Sequence, residues 1–284
     1  MKPGEVADVE IKGGSNDPSV PIIELKDVSV TFKTRTGSIF KPNLVHAVRN
    51  VSLKLMQGET IGLVGESGSG KSTTANVMCG LQEATSGQVF FKGQDVTKRT
   101  AADRKRMGRV VSVVFQDPAT ALNSRMVVEE QLLDPLRVHK VGTPAERKQR
   151  VRELTHLVGL PSSVLGALPG QLSGGQRQRV AIARALSLGP DAIIADEPTS
   201  ALDVSVRAQI LNLLTDLKKD LGLGMVFISH DIQTVRYVSD QIIVMNGGRI
   251  VEEGTAKQVL ENPNHEYTKT LLGAAPSLLH PVGN

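Results

Sequence analysis

The chain has 284 residues, 40% of them hydrophobic and 22% charged, the mix of a soluble globular protein with enough length for a buried core. Its formal charge of +4 comes from 33 Lys and Arg against 29 Asp and Glu, scattered along a chain with only 3% aromatics, so no nucleic-acid surface is expected. No apolar run approaches the roughly 18 to 20 residues that cross a bilayer, residues 1–17 lack the layout of a secretory signal, and the lone Cys79 excludes an internal disulfide or a Cys-rich zinc or iron–sulfur site within the chain.

In chain order, residues 1–20 read as a loose N-terminal tail, residues 21–272 as one continuous domain and residues 273–284 as a C-terminal tail. Short β-rich runs fall at residues 22–28, 60–64, 110–115, 192–196, 225–229 and 241–245. Several are apolar without alternation, as parallel strands covered on both faces are. The basic stretch 98–109 reads as solvated surface charge. Residues 144–158 predict a helix: Thr143 and Glu146 form a capping box, Pro144 takes the first position and Gly159 supplies the stop. A second helix is expected over about 206–221, with Ile210, Leu213, Leu214, Leu217 and Leu221 on its inner face. Strands alternating with helices imply an α/β fold with a largely parallel sheet. Residues 116–188 offer helices and loops but no strand, which reads as a helical insertion.

Three motifs carry chemistry. Gly65, Glu66, Ser67, Gly68, Ser69, Gly70, Lys71, Ser72 and Thr73 follow a strand and open a helix, the context of a phosphate-binding loop. Its backbone N–H groups point at phosphate oxygens, Lys71 adds a point charge and the Ser72 hydroxyl suits Mg2+. Next, a buried apolar strand ends in Asp196 and Glu197. Asp196 is suited to holding Mg2+, and Glu197 to orienting the water that attacks a γ-phosphate. Last, Ser173, Gly174, Gly175 and Gln176, after Leu172, precede a helix and make a second anion-binding turn. A head-to-tail dimer, in which each turn closes the partner's phosphate loop, gives that second turn a use.

Together these motifs resemble the ABC ATPase family over about residues 22–273. The resemblance implies a P-loop NTPase (RecA-like) core with a β-subdomain and an inserted α-helical subdomain at about 116–188, binding ATP and Mg2+. It assigns Gln116 to the Q-loop and the metal, Asp203 to the D-loop and His230 to the switch histidine that contacts the γ-phosphate. Phe32 matches the ring that stacks on adenine, with Phe40 as a competitor. Both Glu197 and the signature turn are intact, so a competent site is expected.

Segments around Val113–Pro118, Asp203–Ser205, Phe227–Asp231 and His265–Thr268 are similar to the ATPase subunits of dipeptide, oligopeptide and nickel importers. That implies a second ABC ATPase subunit, identical or not, two transmembrane permeases and, indirectly, an extracytoplasmic substrate-binding protein, with this chain peripheral on the cytoplasmic face of the membrane. Import of another solute such as nickel or a sugar, and a soluble ABC ATPase acting on ribosomes or DNA, are the alternatives. Many members carry an iron–sulfur cluster on C-terminal cysteines that this chain lacks, so none is expected. Glu266 and Ser124 stand where many members have proline. His265 and Tyr267 read as residues docking the tail on its own domain.

Overall fold

The structure, a computed structural model, describes residues 17–34 and 43–274. Most of the expected N-terminal tail, nearly all of the C-terminal one, and Phe40 lie outside the described residues.

In chain order the elements are β1 (Ile23–Thr34), β2 (Asn43–Leu55), β3 (Thr60–Val64), α1 (Lys71–Met78), β4 (Ser86–Phe91), β5 (Gln94–Asp95), α2 (Ala101–Val110) and β6 (Val111–Val114). Four helices follow: α3 (Pro118–Ala121), α4 (Val128–Val138), α5 (Pro144–Leu157) and α6 (Gly174–Ala185). The chain then returns to alternation with β7 (Ala192–Asp196), α7 (Val204–Leu221), β8 (Gly224–Ile228), α8 (Ile232–Val238), β9 (Gln241–Asn246), β10 (Arg249–Thr255), α9 (Ala256–Glu261) and α10 (Glu266–Ala274).

Two sheets result. One has the order β10-β9-β3-β8-β7-β6, parallel throughout except for the antiparallel edge strand β10. The other is antiparallel, in the order β2-β1-β4-β5. Alternate residues of the parallel strands face two different cores. Ile61, Leu63, Ala192, Ile194, Val226 and Ile228 pack towards α1 and the antiparallel sheet. Ile193, Ala195, Met225, Phe227, Ile242 and Val244 pack towards the helices of the opposite side, α6 and α7 among them. A strand buried on both faces must be apolar at every position, which is why β3 and β8 are continuous hydrophobic runs. This is the expected α/β fold with a parallel sheet.

The six runs read from sequence are β1, β3, β6, β7, β8 and β9. Strands β2, β4, β5 and β10 were not anticipated. They lie in the antiparallel sheet or at the edge of the parallel one, where only one face is covered. In β2 the buried residues Val51, Leu53 and Leu55 therefore alternate with exposed ones. The basic stretch 98–109 is also more than solvated charge. It forms most of α2, with Met107 in the core, and Arg99 is buried with its guanidinium donating to the Val77 and Gln82 carbonyls at the end of α1.

Candidate nucleotide site

All strands of the parallel sheet except β10 run the same way, so β3 and β7 deliver the phosphate loop and the acidic pair to the same carboxyl-terminal edge, where ligands of open α/β sheets bind. The loop leaves β3 at Gly65 and turns into α1 through Gly70, a left-handed residue at φ 104°. No side chain caps α1 and no acidic residue lies in its first turn, so its free N–H groups and positive dipole end remain for an anion. Gly65 has no substitute: at φ 149°, a Cβ there would sit 2.2 Å from the Met245 carbonyl oxygen. The loop is also held from the β9–β10 turn, where the Gly248 N–H donates to the Ser69 carbonyl at 3.0 Å.

Lys71 is buried and folds over this loop, its ammonium donating to the Gly65 carbonyl at 2.7 Å and the Glu66 carbonyl at 2.8 Å. Burial lowers its pKa, while the Glu197 and Asp196 carboxylates act in the opposite sense. The Ser72 hydroxyl donates to Asp196 at 3.5 Å. Burial pushes the Asp196 carboxyl up; the Ser72 hydrogen bond opposes this, Glu197 adds to it, and Lys71 opposes it.

Glu197 takes partners different from those of its neighbour. Its N–H donates to the Ile228 carbonyl at 3.0 Å, which extends the β7–β8 ladder by one residue. Its own φ is +46°, in the left-handed region. One carboxylate oxygen meets His230 Nδ1 at 3.1 Å and the other accepts from the Gln116 amide at 3.2 Å. Three elements of distant sequence, the ends of β6, β7 and β8, thus converge on one carboxylate.

At the far end of the insertion, Ser173 caps α6 reciprocally with Gln176: each side chain takes the other's backbone N–H. Gly175 lies against α7, with room for no side chain, since a Cβ would stand 2.7 Å from Val206. Asp203 caps α7, accepting from the Val206 N–H at 2.9 Å and the Ser205 hydroxyl at 2.8 Å; these bonds, the first foremost, lower its pKa. Phe32 on β1 pairs with Val45 on β2, and both rise from the sheet half-exposed, an apolar ledge of the kind a flat ring can cover.

The family model described as "ABC transporter" matches residues 48–200, more than half of the chain. The chain belongs to the ABC transporter family. Among curated relatives it is 46% identical over 259 residues to the oligopeptide transport ATP-binding protein OppF of Lactococcus lactis, covering 90% of this chain and 81% of that one. It is 41% identical over 260 residues to the dipeptide transport ATP-binding protein DppF of Haemophilus influenzae, covering 92% and 80%. Among solved structures it is similar to a dimeric ATP-binding cassette in a post-hydrolysis state with ADP and Pi. The TM-score there is 0.73 at 33% identity, over 82% of this chain and 98% of that one.

In this ABC cassette, two groups of the candidate residues come together within one chain: Lys71 with its loop and Ser72 with Asp196, and Gln116 and His230 with Glu197. The signature turn does not join them. Among the described residues, the hydrogen bonds of Ser173 and Gln176 stay within α6, and Gly174 and Gly175 face Leu202 and Val206. Three features were not read from sequence: the left-handed Glu197, the Gly248 contact, and the bond from the Glu66 N–H to the hydroxyl of Tyr267, at 2.9 Å, beyond the docking role expected of that residue. No local pattern signals them, because each joins segments remote along the chain.

Proposed function

We propose that this chain binds and hydrolyses ATP as one of two cassettes that power the import of peptides through membrane permeases. The observation that carries the enzymatic part is Glu197, fixed between Gln116 and His230 beside the Asp196–Ser72 and Lys71 groups. Lys71 and the uncapped start of α1 hold the phosphates of ATP in ground and transition states alike. Glu197 orients water for attack and takes up its proton, His230 contacts the γ-phosphate, and Gln116 keeps the carboxylate aligned. The Phe32–Val45 ledge receives the adenine.

The three residues suit Mg2+ chemically: the Ser72 hydroxyl beside the Asp196 carboxylate, and the side-chain carbonyl of Gln116, whose amide N–H is held by Glu197, are hard oxygen ligands, few enough to leave the remaining positions to phosphate and water. Asp196 pushed up by burial also fits, since a cation there compensates the cost of its charge. Ser72, Asp196 and Gln116 would hold the ion, which when bound neutralises charge developing on the β- and γ-phosphates.

The signature turn, separate from the phosphate loop of its own chain, serves the partner cassette's ATP in this reading, with Asp203 at the shared boundary. Peptides as cargo rest on the OppF and DppF relatives. No helix among the described residues is long and apolar enough to cross a membrane, so the span is assigned to permeases, with the cassette peripheral on their cytoplasmic side and a binding protein delivering peptide outside. A groove of about 370 Å3 between α2, β6, α4 and α6, lined by Phe115, Leu122, Val138 and Arg184, offers the permeases a seat. Phe115 and Val138 are exposed there, and Phe115 adjoins Gln116, which links the seat to Glu197.

Glu197→Gln tests the catalytic assignment. ATP binding is expected to persist while turnover of the reconstituted complex falls by about a hundredfold or more. Turnover equal to the native protein's would remove Glu197 from the mechanism.

A further inference from the structure

We propose that Tyr267, in the C-terminal helix, is a positioning residue for the phosphate loop and sets the affinity of the cassette for ATP; this rests on the reading of residues 65–73 as the ATP site. Both peptide groups that flank the Glu66 Cα are held. The Glu66 N–H donates to the Tyr267 hydroxyl at 2.9 Å, and its carbonyl accepts from Lys71 at 2.8 Å. An N–H committed to a tyrosine is not a phosphate donor. Its work is to fix the backbone beside Ser67 and Gly68, which are otherwise exposed.

The tyrosine is itself held by a chain of specific contacts. The Glu252 carboxylate on β10 accepts from the N–H groups of Asn264 at 2.7 Å and His265 at 3.1 Å, at the start of α10. His265 Nδ1 accepts from the Tyr267 N–H at 3.1 Å. Burial would raise the Glu252 carboxyl, but its surroundings, the N–H groups of Asn264 and His265 among them, outweigh it and hold it lowered, in the charged form that caps the helix. The ring of Tyr267 packs with Leu271 and Leu272 against the core shared with α7 and α8. A phenol fixed at both ends loses little further freedom when it accepts a hydrogen bond.

The neighbouring β9–β10 turn supplies Gly248 to the Ser69 carbonyl. The C-terminal part of the chain therefore grips the loop at two points, Glu66 and Ser69. A loop already ordered when the anion arrives binds it more tightly than one that must be ordered by it. Because the loop holds phosphate in both the ground and transition states, loosening it weakens binding without touching the chemical step.

The test compares Tyr267→Phe, Glu252→Ala and Lys71→Ala in the purified full-length chain, by equilibrium titration with Mg-ATP and by melting temperature without nucleotide. Tyr267→Phe keeps the ring and removes only the hydroxyl. Its Kd for ATP is expected to rise by about three- to tenfold, the range that one lost hydrogen bond spans. Its melting temperature should stay near the native value. In the reconstituted complex, KM for ATP rises by the same factor and kcat moves less. Glu252→Ala, which never touches the loop, should shift Kd in the same direction. Native affinity in Tyr267→Phe overturns the proposal, as does an affinity loss that only tracks a fall in melting temperature. Lys71→Ala separates the two readings. If it binds ATP as the native chain does, the ATP-site assignment itself fails; if it loses binding while Tyr267→Phe does not, only the role of Tyr267 fails.

Discussion

A glutamate at φ +46° is held where a side chain is unwelcome, because its Cβ crowds the following carbonyl. At Glu197 the N–H bond to Ile228 enforces the conformation, and the carboxylate of this left-handed residue meets His230 and Gln116. Strain at a functional residue is expected where the surrounding structure over-determines it. Two variants isolate it. At an ordinary helix or strand position, glycine is less stable than alanine by about 0.5–1 kcal/mol. At position 197 the order should invert, with Glu197→Gly more stable than Glu197→Ala by about 1 kcal/mol, read from urea midpoints without nucleotide. An alanine variant equal to or better than the glycine one would mean that no strain is stored there. The Asp-Glu pair was legible in the sequence as two carboxylates at a strand end. Their division, one facing Ser72 and the other His230, was not, because it depends on a single backbone torsion set by a neighbouring strand.

Among elements, legibility followed burial. Strands β3, β7, β8 and β9 are covered on both faces and announce themselves as unbroken apolar runs. Strands β2 and β10 hide, since a half-covered strand mixes Lys, Arg and Glu into its exposed positions. Helix α5 was legible from its cap, and the Thr143–Glu146 box is present. Helix α2 has the same device, Thr100 with Asp103, but it is masked by the basic residues around it. Asp103 makes the box pH-dependent. The Thr100 hydroxyl and N–H, then Arg106, lower its pKa from 3.8 to about 2. A carboxyl depressed in the folded state stabilises it above the unfolded pKa, and that contribution is lost as pH falls through the folded value. Asp103→Asn should therefore lower the urea midpoint near neutral pH, with the gap from the native chain closing between about pH 4 and pH 2. A gap independent of pH would assign the cost to packing.

At the scale of the whole molecule, the folded chain holds two candidate anion-binding helix starts with no hydrogen bond between them among the described residues. The uncapped end of α1 belongs to the phosphate loop, while Ser173 opens α6 against α7. The motifs were readable one by one, and the second turn already pointed to a head-to-tail dimer; in the proposed function their meeting takes a second chain. A complementation experiment decides it. Ser173→Asp retains a good helix cap, because Asp serves as well as Ser at that position, yet it directs a negative charge at the partner's phosphate. Lys71→Ala spoils the loop instead. Each variant alone should be inactive. Co-assembled from equal amounts in the permease complex, random pairing makes half the dimers mixed, and each mixed dimer combines an intact loop from one chain with an intact signature turn from the other. If the chain pairs with itself, turnover should recover to about a quarter of the native level, because a two-fold dimer then carries one composite site in place of two. A single chain serving its own loop with its own turn could never be rescued this way, since every site would keep a lesion. If the second cassette is a different chain, recovery is also absent, and cross-linking the native complex distinguishes that case by the mass of the partner.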